Sequence, residues 1–196
     1  MSADGFELAK QEYIKLKDEQ TKRIGFRDNL LYVNLLLIGG IFSFVFSSDR
    51  AENVWKFSGL LAAGWVALIL GWTYLVNDEK ISAIERYIRA ELRVTLGDDN
   101  SSQLFGWEVA HRSDRRRKRR KVEQFVVDEI SFVGVGILAV ILFLALSPLA
   151  GFWPLAISII EIFLLIVLGV EIFVYADFGI GGASRRSYQM PPLGDT

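Results

Sequence analysis

Cysteine is absent from this chain and histidine occurs once, at His111, which excludes disulfides, thiolate nucleophiles, structural zinc and cysteine-linked acyl anchors together. Charge of one sign is also missing. Lys and Arg number 22 against 23 Asp and Glu, a net charge of -1, so no global attraction to nucleic acid or acidic substrates exists. Neither a Walker loop nor a GxSxG elbow occurs, and His111 has no second His or Cys with which to hold a metal. No catalytic constellation and no cofactor site is expected. What is present is apolar: 52% hydrophobic and 13% aromatic residues, with a mean hydropathy of +0.31. Because 23% of the residues are still charged, the two kinds must be segregated along the chain.

A bilayer core of about 30 Å takes roughly 20 helical residues to cross, and four apolar runs approach that length. They are Leu30–Phe46, Phe57–Val76, Ile130–Leu149 with Pro148 near its end, and Leu155–Tyr175. Buried helices of a soluble protein would break sooner. A secretory signal is not expected, since the first run follows a polar, partly acidic stretch with no convincing cleavage site. Residues 1–29 hold six basic residues, residues 77–129 hold twelve, and the tail holds Arg185 and Arg186. Only Arg50 and Lys56 fall in the first short connection, and the second, Ala150–Pro154, has none. The positive-inside rule then places both termini and the middle segment in the cytoplasm, with two tight hairpins facing outward.

These features predict an all-α, four-span protein of a bacterial inner membrane. Residues 1–29 form an N-terminal cytoplasmic helix, 30–76 a first transmembrane hairpin and 77–129 a cytoplasmic helical segment. Residues 130–175 form a second hairpin and 176–196 a flexible tail. On the second span Gly59, Ala63, Ala67 and Gly71 recur every four residues, a stripe that admits close helix approach in lipid. It serves either packing within the first hairpin or oligomerisation. Trp55, Trp72, Trp153 and Tyr175 fall near run ends, where amphipathic rings anchor.

Residues 6–29 read as one amphipathic helix, largely polar, continuing into the first span, and the cytoplasmic helices are expected to be amphipathic. Lys15 with Glu19, Glu19 with Arg23 and Asp18 with Lys22 stand one turn apart, while Tyr13, Leu16 and Ile24 supply a thin apolar stripe. After the second span Ile81, Ile84, Ile88 and Leu92 repeat at helical spacing, with Glu85 and Arg89 as a further pair. The two stripes are expected to meet as a cytoplasmic stalk.

A turn-rich stretch, residues 97–106, precedes a basic run in which Arg112, Arg115, Arg116, Arg117, Lys118, Arg119, Arg120 and Lys121 fill eight of ten positions. Lys121 lies about 13 Å from Ile130 if helical, within reach of anionic headgroups, where each basic side chain contributes roughly 1 kcal/mol. A protein partner is a second reading. Nucleic acid is not expected, because neither an aromatic platform nor a helix-turn-helix accompanies the run.

The pattern Glu12-Tyr13-x-x-Leu16-Lys17-x-Glu19-x-x-x-Arg23-Ile24-x-x-Arg27 precedes the first span. Ile81-x-x-Ile84-x-x-Tyr87-Ile88-Arg89-x-Glu91 and Gly106-Trp107-Glu108 follow the second. Together they resemble an uncharacterised family of small bacterial integral membrane proteins, over roughly residues 12–120. A two-span hairpin between cytoplasmic helices is also similar in architecture to the SLATT type of membrane effector, whose proposed action is to open pores. This chain adds a second hairpin to that plan.

Three polar groups stand out within the spans: Asn34 on the first, and Glu161 and Glu171 on the fourth. A charge at span depth costs from about 3 to more than 10 kcal/mol, and no Lys, Arg or His lies inside a span to offset it. Glu161 is therefore either neutral or turned toward water or a polar group, with Asn34 and Lys56 as candidate partners; Glu171 lies near the cytoplasmic end. The first functional expectation is a non-enzymatic, homo-oligomeric module that either binds a partner through its cytoplasmic helices or forms a pore. The alternative is a small ion- or proton-linked transporter using Glu161.

Overall fold

The computed structural model describes residues 3–47, 54–92, 117–147 and 151–176, and their elements are all helical. The first, α1 (Ala3–Phe46), is one uninterrupted helix of 44 residues, about 66 Å long at the usual rise. A 3-10 turn, Val54–Phe57, leads into α2 (Ser58–Tyr87), which a π-helical stretch, Ile88–Leu92, prolongs. Next, α3 (Arg117–Asp128) passes through a second π-helical stretch, Glu129–Gly134, into α4 (Val135–Leu146). The last element is α5 (Phe152–Tyr175).

The third apolar run closes at Leu146, earlier than its apolar residues suggest. Ser147 leaves helical dihedrals (φ -119°, ψ 64°), as the residue before a proline is driven to do. An extended Gly151 (φ -65°, ψ -176°) then opens α5 at Phe152, ahead of Leu155. Pro154 is tolerated in this first turn because helix-starting residues have no intrahelical partner for their N–H groups. Pro148, Arg50, the stretch 97–106, His111, Arg112, Arg115, Arg116 and the tail from residue 177 lie outside the described residues.

Four rods, Gly5–Phe46, Ser58–Leu92, Arg119–Leu146 and Phe152–Tyr175, are each long and apolar enough to cross a membrane, the architecture of a multi-pass membrane protein. The central one is α2, which packs along α1 on one side and against α4 and α5 on the other. Three apolar clusters run along it. Val45, Leu60 and Phe143 close the end that carries the short connections. Leu68, Tyr74 and Leu75 meet Leu30, Phe132, Val133, Leu165, Leu168 and Ile172 further along. Ala9, Ile88 and Leu92, flanked by Tyr13, Leu16 and Ile84, join the polar extension of α1 to the end of α2.

That last cluster is the stalk contact expected from the two apolar stripes, except that Ile81, though buried, and Ile24, 37% exposed, both lie off it. Along the stalk Arg23 closes on Glu19 and Lys22 on Asp18, both at 2.6 Å, and Arg89 on Glu85 at 3.1 Å. Between the two rods, the Tyr87 hydroxyl donates to Glu12 at 2.8 Å.

The small residues of α2 are used on both of its sides. A Cβ on Gly59 would lie 3.1 Å from the Val45 side chain of α1, whereas one on Gly71 would lie 2.6 Å from Leu168 and 3.1 Å from Phe132. Ala63 and Ala67 are fully buried between. Gly136 of α4 takes part as well, its missing Cβ making room for Leu165. The stripe thus seats one hairpin on the other as well as closing the first, and its backbones approach closely because nothing larger intervenes.

Candidate functional site

Two polar centres interrupt the apolar interior at different depths. The first lies where the stalk joins the apolar part of the bundle. Arg27, ahead of the first apolar run, reaches across to α2 and donates to Asp78 at 2.7 Å, while its other nitrogens hold Asp28 at 3.0 and 3.2 Å. Its guanidinium also sits 5.8 Å from the centre of the Tyr74 ring, a cation–π distance. Arg23 donates to Asn77 at 3.4 Å. From the third rod Gln124 donates to the Tyr74 hydroxyl at 3.2 Å, and the same hydroxyl interacts with the Asp128 carboxyl. The cluster therefore ties α1, α2 and α3 together through side chains from each.

Asp128 is only 5% exposed and precedes the third apolar run by two residues. Burial pushes its carboxyl up to about 7, opposed by the hydrogen bond to Tyr74 and reinforced by the nearby charge of Asp78. One of its oxygens has no hydrogen-bond partner among the described residues.

Just beyond Asp128 the backbone widens. In the stretch Glu129–Gly134 the N–H of Val135 reaches the carbonyl of Ile130, the spacing of a π-turn. Asn34, fully buried on α1, donates its amide to the Ser131 carbonyl of this stretch at 2.6 Å. A π-turn disturbs the regular ladder and offers a carbonyl to a neighbouring helix, which Asn34 takes. The partner foreseen for Asn34, Glu161, is not the one it has.

Glu161 forms the second centre. It is fully buried on α5, and neither carboxyl oxygen has a hydrogen-bond partner among the described residues. Its carboxyl occupies the volume a Cβ on Gly64 of α2 would take, beside Val140 of α4. Ser158, one turn earlier and also fully buried, gives its hydroxyl to the Pro154 carbonyl at 2.9 Å. Gly64 and Tyr74 stand ten residues apart on α2, about 15 Å, so the centres are well separated. Between them lie Ala67 with Gly136 and Leu165, then Gly71 with Phe132 and Leu168.

Of the other candidates, Glu171 is half-buried on α5, and Glu129 packs near Gly169 of the same helix. Within the basic run Arg119 is exposed and pairs with Glu123 at 2.7 Å, and Lys121 donates to the Ala176 carbonyl at 3.3 Å, joining the third rod to the end of the fourth. Among the described residues no group of His, Cys, Asp and Glu is placed to hold a metal ion. Arg27 belongs to the pattern before the first span but carried no assigned role there, and Tyr74, Asp78, Gln124 and Asp128 had no motif to mark them. Position alone offered a signal: Arg27 lies three residues before Leu30 and Asp78 two after Val76, so closing the first hairpin brings them level. No family model, curated protein or solved structure matches the chain.

Proposed function

We propose that this chain is a non-enzymatic membrane module of a bacterial inner membrane, homo-oligomeric, with both termini and its helical stalk in the cytoplasm. The stalk binds a cytoplasmic protein or further copies of the chain, and its movement opens a pore. The observation that carries this reading is the cluster around Arg27: it clamps α1 and α2 to α3 where the stalk enters the bundle, so a pull on the stalk reaches the second hairpin. The layers from Gly64 to Gly71 are filled by side chains of three rods, so the pore belongs between copies rather than within one. Anionic headgroups are the partner assigned to the basic run from Arg112 to Lys121. Effector-like pore opening is also what the SLATT resemblance implies.

Conductance of the full chain in planar bilayers tests this, together with its mass in lipid nanodiscs. Arg27→Gln should leave the oligomer intact while changing the open fraction several-fold. A monomer that conducts nothing removes the reading. The second reading, a small ion- or proton-linked carrier using Glu161, is favoured by its two carboxyl oxygens, which have no hydrogen-bond partner among the described residues. It predicts proton-dependent uptake that Glu161→Gln abolishes.

A further inference from the structure

Glu161 is a fully buried carboxyl among the described residues whose placement the module reading does not use. We propose that Glu161 and Gly64 form an intramembrane proton-binding site that takes a single proton and no metal cation. The inference deepens the carrier reading by naming the cargo of its site, yet a carboxyl can hold a proton without carrying one anywhere.

Three observations point to it. Both carboxyl oxygens are buried and lack a partner among the described residues, whereas an ionised carboxylate in such surroundings would need one. The surroundings are also uniformly uncharged. Within one turn of Glu161 on α5, of Gly64 on α2 and of Val140 on α4, no residue is acidic or basic, and Ile38–Val45 of α1 carries no charge either. Finally, the carboxyl fills the Gly64 notch so closely that Gly64 could not carry a side chain without displacing it. A metal cation needs several oxygens around it, and this site offers one carboxyl and a serine hydroxyl already given to Pro154. A proton needs one oxygen.

The neutral acid is compatible with close packing of α5 on α2; loss of the proton would leave a charge that favours leaving the notch. Occupancy of the site is thereby linked to how tightly the second hairpin sits on the first.

The test uses the full chain in lipid nanodiscs at neutral pH. Dicyclohexylcarbodiimide reacts with protonated carboxyls: the acid proton passes to a carbodiimide nitrogen, the carboxylate oxygen adds to the central carbon, and the acyl group migrates to nitrogen. The product is a stable N-acylurea with no leaving group, one reagent mass on the peptide holding Glu161. Labelling is expected at Glu161, absent in Glu161→Gln, at least tenfold slower with a water-soluble carbodiimide, and unaffected by Na+, K+ or Mg2+. An infrared carbonyl band of a protonated acid, lost in Glu161→Gln, is expected in the same sample. Absence of that band overturns the proposal whatever the reagent does. So does protection by a metal cation, or equally fast labelling by the water-soluble reagent. Band and label without proton-dependent uptake would remove the carrier reading and leave the site standing.

Discussion

Gly64 and Glu161 behave as one unit, a missing side chain on α2 matched to a carboxyl on α5. Gly64→Ala places a methyl group where that carboxyl sits and should cost about 1–3 kcal/mol, the usual penalty of overpacking. Glu161→Ala vacates the notch, so adding Gly64→Ala to it should cost much less, and thermal unfolding of the four variants in detergent measures the coupling. Asp128 makes a different prediction. Its folded-state value of about 7 lies above the ordinary aspartate value of 3.8, so the folded protein binds the proton more tightly than the unfolded one. Stability from this group is therefore greatest below the unfolded value and falls as pH rises toward 7, each unit of displacement being worth about 1.4 kcal/mol. Melting temperature should decline over that interval, and Asp128→Asn should flatten the decline; an unchanged slope would show that Asp128 is not its source.

Among the helices, the long rods owe their continuity to local sequence. Nothing between Ala3 and Phe46 breaks the ladder, so the polar stalk and the apolar run share one axis. Ile88 and Leu92 close that stalk from a π-helical stretch, both at 2% exposure or less. Ile88→Ala in a well-packed core would cost about 2–5 kcal/mol, and here the loss should stay local. Amide exchange should speed up across residues 7–16 and 81–92 by tenfold or more while α4 and α5 keep their protection. Faster exchange throughout would mean that the stalk and the apolar bundle unfold together. The second π-stretch could not be read from composition, since its residues also suit an ordinary helix. Asn34 donating to Ser131 marks where it is used.

Taken whole, the molecule is organised around α2, with a charged stalk at one end and two short connections at the other. Because the chain has no native cysteine, single cysteines report on sidedness without background. With a membrane-impermeant maleimide on intact cells, Phe152→Cys should label within minutes and Arg119→Cys only after lysis. The reverse pattern would invert the orientation derived from the basic residues.

Four apolar helices, their approximate limits and the stalk stripes were legible in the sequence because they depend on run length and spacing along one chain. The Ser147 break needed only the following proline. Which faces turn inward was decided by tertiary structure. In lipid, the inward and outward faces of a helix are both apolar, so hydrophobic period says little about rotation or register. The pairing of Gly64 with Glu161, of Asn34 with Ser131 and of Arg27 with Asp78 depends on that rotation. Sequence determined that a carboxyl would be costly at Glu161; only the packed helices decided that a glycine, rather than a charge, would face it.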